Sequence, residues 1–363
     1  MQNKMNVGII LGGKSAEHEV SLLSAQNIIS SVDTQKYTPV LIGVDKKGTW
    51  FLLDRSAYLL NPSDPKRIAL NTELGRRIVL VPGGGGVIMF LDTCQSDIRV
   101  DVVFPIIHGP FGEDGSLQGI LKSACIPFVG AGVAGSAIGM DKDVMKRLLR
   151  DAGIPIGKFL AMSGKNTLSF QECAERLGLP LFIKPANMGS SVGVSKVFNK
   201  EDFDRAVKEA FTYDAKILIE EYIKGREIEC SVLGDDDASA SVPGEIISSH
   251  EFYSYDAKYL DENGARAEIP AQLSDDTTRR IQELATQTFK VLLCEGFGRV
   301  DFFLTENGDI FVNEINTIPG FTSISLYPKL WEASGISCTE LVNRLIQLAL
   351  HRFEKEKILI QEK

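Results

Sequence analysis

Histidine is scarce and cysteine unpatterned in this chain: four histidines, and six cysteines (Cys94, Cys125, Cys173, Cys230, Cys294, Cys338) with no C-x-x-C pair. That argues against a disulfide scaffold and a structural zinc site. Most of the cysteines lie in apolar segments, where a free thiol acts as a small hydrophobe. No uninterrupted apolar run reaches membrane-spanning length. Residues 1–13 lack the long apolar core and small-residue cleavage site of a secretory signal, so a cytoplasmic enzyme is expected. Excess positive charge is missing too: the net charge is −9. An acidic surface disfavours nucleic acid and anionic membranes as partners, though a local basic cleft can still hold phosphates. What remains is an ordinary soluble composition, 44% hydrophobic and 24% charged, over 363 residues. That length predicts two or three domains.

Residues 7–11 are a short apolar run ending in Gly12-Gly13, residues 21–30 read as a helix, and 40–44 and 100–107 as further strands. Buried strands alternating with a helix predict a parallel α/β unit. Residues 61–86, polar and closing in Pro82 and four glycines, are expected to be irregular. A helix is predicted over 141–151, ended by Gly153 and Pro155. Short strands at 181–184, 194–197 and 217–220 suggest a small α+β domain. Longer strands follow at 227–233, 297–304 and 310–315, with an amphipathic helix over 275–292. Residues 243–270, rich in Tyr, Ser, Asp and Gly, read as a long loop of the kind that forms lids. The expected division is 1–130, 131–224 and 225–363.

Residues 8–15 (G-I-I-L-G-G-K-S) match the phosphate-loop pattern G-x-x-x-x-G-K-[ST]. That mechanism needs the intervening residues in a loop offering backbone N–H groups. Here they are Ile9, Ile10 and Leu11, which belong inside a strand. The glycines are read as a strand-to-helix turn.

Chemistry concentrates in three places. In Gly298-Arg299-Val300-Asp301, strand alternation puts Arg299 and Asp301 on one face. Glu314 and Asn316 share a face of a second strand, joined through the Asn307-Gly308 turn of a hairpin. Two carboxylates and an amide oxygen suit Mg²⁺ arriving with nucleotide phosphates; a structural salt bridge from Arg299 is the alternative. In the second place, Lys184 ends a strand and the loop Met188-Gly189-Ser190-Ser191-Val192-Gly193 follows. A lysine point charge and a Gly/Ser loop can close over phosphates; the alternative is a plain hairpin turn. Lys142, at a helix start, is a weaker phosphate candidate or a solvated lysine. Third, Glu220-Glu221-Tyr222-Ile223 ends an apolar strand, with Glu227 after it. Such a strand can meet adenine and ribose, or simply run into a solvated turn.

The order of these pieces is similar to the ATP-grasp ligases, where nucleotide lies between two α+β domains. The segments Gly12-Gly13-Lys14-Ser15-Ala16-Glu17, His108-Gly109-Pro110-Phe111-Gly112-Glu113-Asp114-Gly115 and Tyr255-Asp256-Ala257-Lys258-Tyr259 resemble those of the D-alanine–D-alanine ligases, through nearly the whole chain. The resemblance implies a three-domain ATP-grasp fold, α/β and α+β, with an N-terminal parallel α/β substrate domain. It implies ligation of two D-alanines through a D-alanyl phosphate, releasing ADP and phosphate, for peptidoglycan precursors. It implies that Lys142 and Lys184 contact ATP phosphates under the 188–193 loop (Met188, Gly189, Ser191, Val192, Gly193). Glu220, Glu221, Tyr222, Ile223 and Glu227 would meet adenine and ribose. Asp301, Glu314 and Asn316 would hold two Mg²⁺ or Mn²⁺ ions. Glu17 and His108 would meet the first D-alanine, and Lys258 and Ser325 the second. Arg299 and the Gly320 N–H would face the oxyanion, and Ser190, Tyr259 and Glu17 would link lid to first domain. A homodimer is the family expectation. His18 departs from relatives with Arg there, without expected cost. Tyr259 tracks dipeptide formation in the family and favours D-alanine over D-lactate or D-serine. Carboxylases and peptide-tagging ligases of the same fold lack the Glu17 and Lys258-Tyr259 motifs. A regulatory module using residues 8–15 is the reading from another class.

Overall fold

The computed structural model describes residues 4–96, 98–248 and 265–361. Three sheets follow one another along the chain. The first contains β1 (Met5–Gly12), β2 (Tyr37–Val44), β3 (Trp50–Leu53), β6 (Arg76–Leu80), β7 (Val87–Phe90), β8 (Ile98–Arg99) and β9 (Val102–Pro105). Its order is β8-β7-β6-β3-β2-β1-β9. A separate ribbon pairs β4 (Leu59–Leu60) with β5 (Ala69–Leu70). β1 pairs in parallel with both β2 and β9. Val7, Ile9 and Leu11 enter one core, and Ile10 enters the other. A strand covered on both faces needs an unbroken apolar run, which is what residues 7–11 supply.

The expectation of an irregular stretch over 61–86 is corrected: β5 and β6 lie inside it. β6 buries only Ile78 and Leu80, while Arg76, Arg77 and Val79 are exposed. Arg76 lays its guanidinium 3.5 Å from the Phe90 ring centroid on the neighbouring strand. A one-sided antiparallel strand with two arginines carries little apolar signal.

β1 runs to Gly12, so residues 8–12 form no phosphate loop. Gly12 has φ +92°, and a Cβ there would stand 2.3 Å from Val44 O. The turn therefore requires glycine. Lys14 instead lies over the Phe111 ring, 5.3 Å from its centroid.

The second sheet has order β10-β13-β11-β12: Phe159–Ser163, Lys216–Glu221, Leu181–Pro185 and Ser195–Val197. Helix Phe170–Leu177, opened by a Ser169/Glu172 capping box, and helix Lys200–Tyr213, capped by Asn199, flank it. Helix Lys142–Asp151 precedes this sheet, with Asp141 accepting the N–H groups of Asp143 and Val144 as N-cap.

The third sheet runs β17-β16-β14-β18-β19: Ala265–Glu268, Gly244–Ser248, Gly225–Gly234, Gly296–Thr305 and Ile310–Asn316. β15 (Ser239–Ala240) also pairs with β14. Helix Asp275–Val291, capped by Ser274, packs on it through Ile281, Ala285 and Phe289. Within the range read as a loop, 243–270, residues 244–248 and 265–268 pair as β16 and β17, and residues 249–264 lie outside the described residues. Tyr255, Lys258 and Tyr259 lie outside the described residues.

Helix Cys338–Gln361 then returns to the first sheet. Tyr37 Oη donates to Asn343 Oδ1 at 2.9 Å and accepts from Gln347 Nε2 at 2.8 Å. All six cysteines are free thiols; Cys173, Cys230 and Cys294 are buried, whereas Cys94 and Cys125 are exposed. No helix among the described residues is long and apolar enough to cross a membrane.

Candidate active site

β18 and β19 place the acidic cluster. Asp301 stands opposite Glu314 on β19 and opposite Glu229 on β14. A bulge between Asp301 and Phe302 breaks the register just beyond the pair. Arg299 lies along the same face, with Nε 2.7 Å from Asp301 Oδ1 and 2.7 Å from Glu229 Oε2. Its Nη2 donates to Asp301 Oδ2 at 2.8 Å, giving a fork. Asn316 Nδ2 donates to the same oxygen at 2.9 Å. The salt-bridge alternative is thus realised, in the same cluster that offers cation ligands. Asp301, Glu314 and Asn316 offer carboxylate and amide oxygens, the donor chemistry of a hard divalent ion. Among the described residues no three His, Cys, Asp or Glu side chains form a cage. An ion held here would complete its coordination with phosphate oxygens and water. Glu229 was not anticipated, although an acid between Ile228 and Cys230 in an apolar strand is a visible signal.

The lysines converge from two elements. Lys142 opens its helix, is 8% exposed, donates to Met188 O at 2.9 Å and pairs with Glu314 Oε2 at 3.2 Å. It is therefore no solvated helix lysine. Lys184, on β11, pairs with Glu220 Oε2 at 2.8 Å. Glu220 is likewise buried near the end of β13, while Tyr222 beyond it is exposed, as the solvated-turn alternative has it. Burial alone would raise its carboxyl, but Lys146 and then Lys184 outweigh that and hold it below the ordinary range. Lys146, one helical turn after Lys142, pairs with Glu220 Oε1 at 3.2 Å. The sequence reading missed it, because only Met145, Leu148 and Leu149 marked the buried stripe.

Next to this pair, Glu221 Oε1 accepts the Lys158 N–H at 2.6 Å, and Tyr222 is exposed beside Phe182 and Lys196. Ile223 sits against Gly157, and Glu227 lies opposite Phe303 on β14 and β18.

The 188–193 loop connects β11 to β12, which are antiparallel neighbours, so it is also the hairpin connection of the alternative reading. Ser190, Ser191 and Gly193 have φ of 50°, 59° and 69°. Left-handed backbone at two serines costs free energy, and the loop closes on itself through Val192 N–H to Gly189 O at 3.1 Å and Val194 N–H to Ser191 O at 3.3 Å. Ser190 Oγ donates to Glu17 Oε1 at 2.5 Å. Between the loop and the start of the first helix lies a cavity of about 310 Å³, lined by Glu17, Lys46, Pro110, Met188, Gly189 and Ser190 among others.

His108 is buried and fixed from both nitrogens. Nδ1 donates to Ile318 O at 2.8 Å, and Nε2 meets Ser24 Oγ at 3.0 Å. Burial would depress its basicity, but its interaction with the accepting Glu113 carboxylate and the charge of Glu17 hold it above the usual imidazole range. Ser24 Oγ also accepts the Phe321 N–H at 3.1 Å, and Asn27 Nδ2 donates to Phe321 O at 2.9 Å. Helix His18–Ser31 thereby grips the segment carrying Gly320. A Cβ at Gly320 would come 2.9 Å from Ser325 Oγ. Ser325 Oγ itself accepts the Thr322 N–H at 3.0 Å.

The chain is similar to known proteins over nearly its whole length. Family models described as D-ala D-ala ligase N-terminus and C-terminus match residues 6–131 and 148–347. A D-alanine–D-alanine ligase of Oceanobacillus iheyensis is 54% identical, covering 98% of this chain and 97% of the relative. A D-alanine–D-alanine ligase A of Escherichia coli K12 is 51% identical over 98% of each. Among solved structures, the D-alanine-D-alanine ligase of Coxiella burnetii has a TM-score of 0.87 at 40% identity, covering 99% of this chain and 97% of that one. The VanG D-Ala:D-Ser ligase of Enterococcus faecalis has a TM-score of 0.82 at 36% identity, covering 96% and 100%.

Proposed function

The chain belongs to the D-alanine–D-alanine ligase family, and we infer that it performs the family's reaction with the residues gathered above. It is an ATP-dependent carbon–nitrogen ligase of the ATP-grasp fold that makes D-alanyl-D-alanine for peptidoglycan precursors. The three sheets serve as three domains, 1–130, 131–224 and 225–363, with substrates meeting between them. The enzyme acts in the cytoplasm as a homodimer.

The first D-alanine is held by Glu17 through its ammonium and lies near His108. Its carboxylate oxygen attacks the γ-phosphorus of ATP, the bond to the β-phosphate oxygen breaks, and ADP leaves. Lys142 and Lys184 offset the phosphate charge, and the backbone of the 188–193 loop covers it. Glu220, Glu221, Tyr222, Ile223 and Glu227 hold adenine and ribose. Asp301, Glu314 and Asn316 would hold Mg²⁺ or Mn²⁺, which supplies charge neutralisation on the phosphates when bound. The neutral amine of the second D-alanine then attacks the acyl carbon, with Ser325 and Lys258 on its carboxylate. Arg299 and the Gly320 N–H stabilise the tetrahedral oxyanion, which collapses to peptide as the extra proton of the amine passes to the departing phosphate. Ser190 and Tyr259 tie the covering segments to Glu17, keeping water from the acyl phosphate.

One observation carries this reading. The Lys142 ammonium lies 2.9 Å from Met188 O and 3.2 Å from Glu314 Oε2, joining the glycine loop to the cation-binding strand at one point. The test is Mg²⁺-dependent phosphate release from ATP with D-alanine, L-alanine, D-lactate, D-serine or nothing added, with products weighed by mass spectrometry. D-Alanyl-D-alanine as main product is expected. ATP hydrolysis indifferent to D-alanine would sink the substrate assignment, and a mixed D-alanyl-D-serine product would shift it.

A further inference from the structure

The roles above leave Lys146 without a task, yet among the described residues it is the most deeply buried lysine, 2% exposed. An ammonium taken out of water costs several kcal/mol unless it is paired, and a methionine of similar length would fill the same space without that cost. Lys146 is paired with Glu220 Oε1 at 3.2 Å, and its Nζ lies 5.8 Å from the Phe159 ring centroid. The other oxygen of Glu220 takes Lys184 at 2.8 Å. Two ammoniums therefore share one carboxylate, and the trio carries a net charge of one positive unit. Without Lys146 the count is zero, and Glu220 would neutralise Lys184 alone.

The fold fixes this geometry at a second point. Lys216 begins β13, the strand that ends in Glu220, and its Nζ meets Asp141 Oδ1 and Oδ2 at 2.7 and 2.6 Å. Asp141 is the N-cap of the helix that carries Lys146. One ion pair sets helix against strand at the capped end, and Lys146 with Glu220 sets it a turn further on. The arrangement is built to hold Glu220 between two cations.

We propose that Lys146 is a positioning residue that balances Glu220, so that Lys184 keeps its positive charge for the nucleotide phosphates. The proposal rests on the reading that Lys184 meets those phosphates. Lys146 itself touches no substrate.

The experiment is calorimetric binding of adenosine, ADP and ATP with Mg²⁺ to the full chain and its variants. In Lys146→Met, ADP and ATP affinity should fall at least tenfold, the scale of one unit charge about 12 Å away at an effective dielectric near 20. Adenosine affinity should hold. Lys146→Met combined with Glu220→Gln restores the charge count, and should recover most of the ratio of ATP to adenosine affinity. Glu220→Gln alone should raise that ratio above the parent's, which keeps the idea testable if Lys146→Met does not fold. A parallel loss of adenosine and ATP binding in Lys146→Met, or a double variant no better than the single one, overturns the proposal. Lys184→Met separates the two layers. If it leaves ATP affinity unchanged, the phosphate role of Lys184 has failed and the proposal with it; if ATP affinity falls there while Lys146→Met has no effect, only the balancing role is lost.

Discussion

The Ser190 hydroxyl donates a hydrogen bond to Glu17 Oε1 at 2.5 Å across 173 residues of sequence. The bond ties the loop after β11 to the start of the first helix, and it uses one oxygen of the carboxylate read as the anchor of the first D-alanine. A hydrogen bond to a charged group contributes about 1.5–3 kcal/mol. Ser190→Ala should therefore lower kcat/KM for D-alanine at least tenfold, with nucleotide affinity nearly unchanged. Steady-state kinetics in each substrate, beside ATP binding, checks this. An equal loss of ATP affinity would assign Ser190 to the phosphates instead.

Gly109 and Gly153 make a matched pair. Both have φ of +73°, but a Cβ at Gly109 would lie 2.7 Å from Glu17 Oε2, whereas nothing stands within 4 Å at Gly153. Alanine at either site adopts left-handed backbone at a cost of about 1–2 kcal/mol. Both variants should melt a few degrees lower. Only Gly109→Ala should also lose D-alanine-dependent turnover, because Glu17 is displaced. Equal activities in the two variants would show that the contact is unimportant.

Arg299 is shared between Glu229 and Asp301, so it and the acids should separate in their metal dependence. Arg299→Ala should reduce kcat by roughly a hundredfold to a thousandfold, the scale of a lost oxyanion donor. It should not raise the Mg²⁺ requirement, since a competing cation has left Asp301. Asp301→Asn should raise that requirement. Mg²⁺ titrations of turnover decide between them, and a higher requirement in Arg299→Ala would count against the oxyanion role.

Glu220 gives the protein an acid limb. Its carboxyl is held below the ordinary value of 4.5, because Lys146 and Lys184 outweigh burial. A depressed group binds fewer protons folded than unfolded. It adds stability above the unfolded value, and that stability is lost as pH falls through the lower folded value. Glu220→Gln should flatten the decline of Tm with pH below 4.5. An unchanged slope would mean that Glu220 titrates alike in both states.

Much of this arrangement was legible in the sequence, for reasons tied to particular residues. Arg299 and Asp301 share a face because a strand alternates, and Asn307-Gly308 turns β18 into β19. Gly12 could only be a turn once Ile9, Ile10 and Leu11 claimed the strand. What was hidden depended on partners far away in sequence. Lys146 and Glu229 are charges on buried faces, and local pattern does not say whether an opposite charge awaits them. Ser24 and Glu113 act on His108 through contacts only the folded chain creates. β6 escaped because it opens on Arg76 and Arg77, which leaves only Ile78 and Leu80 as its buried alternating pair.

Leu22, Ala25 and Ile29 of the first helix share one apolar core with Leu341, Val342, Leu345, Ile346 and Ala349 of the last. Each large aliphatic side chain there contributes roughly 1.5–3 kcal/mol when fully buried. On the ribosome, the earliest domain emerges with that face bare and can cover it only after residues 341–349 have left the exit tunnel. A helix made far later is thus the keystone of one made early, and removing residues 341–349 would be felt at Leu22, Ala25 and Ile29.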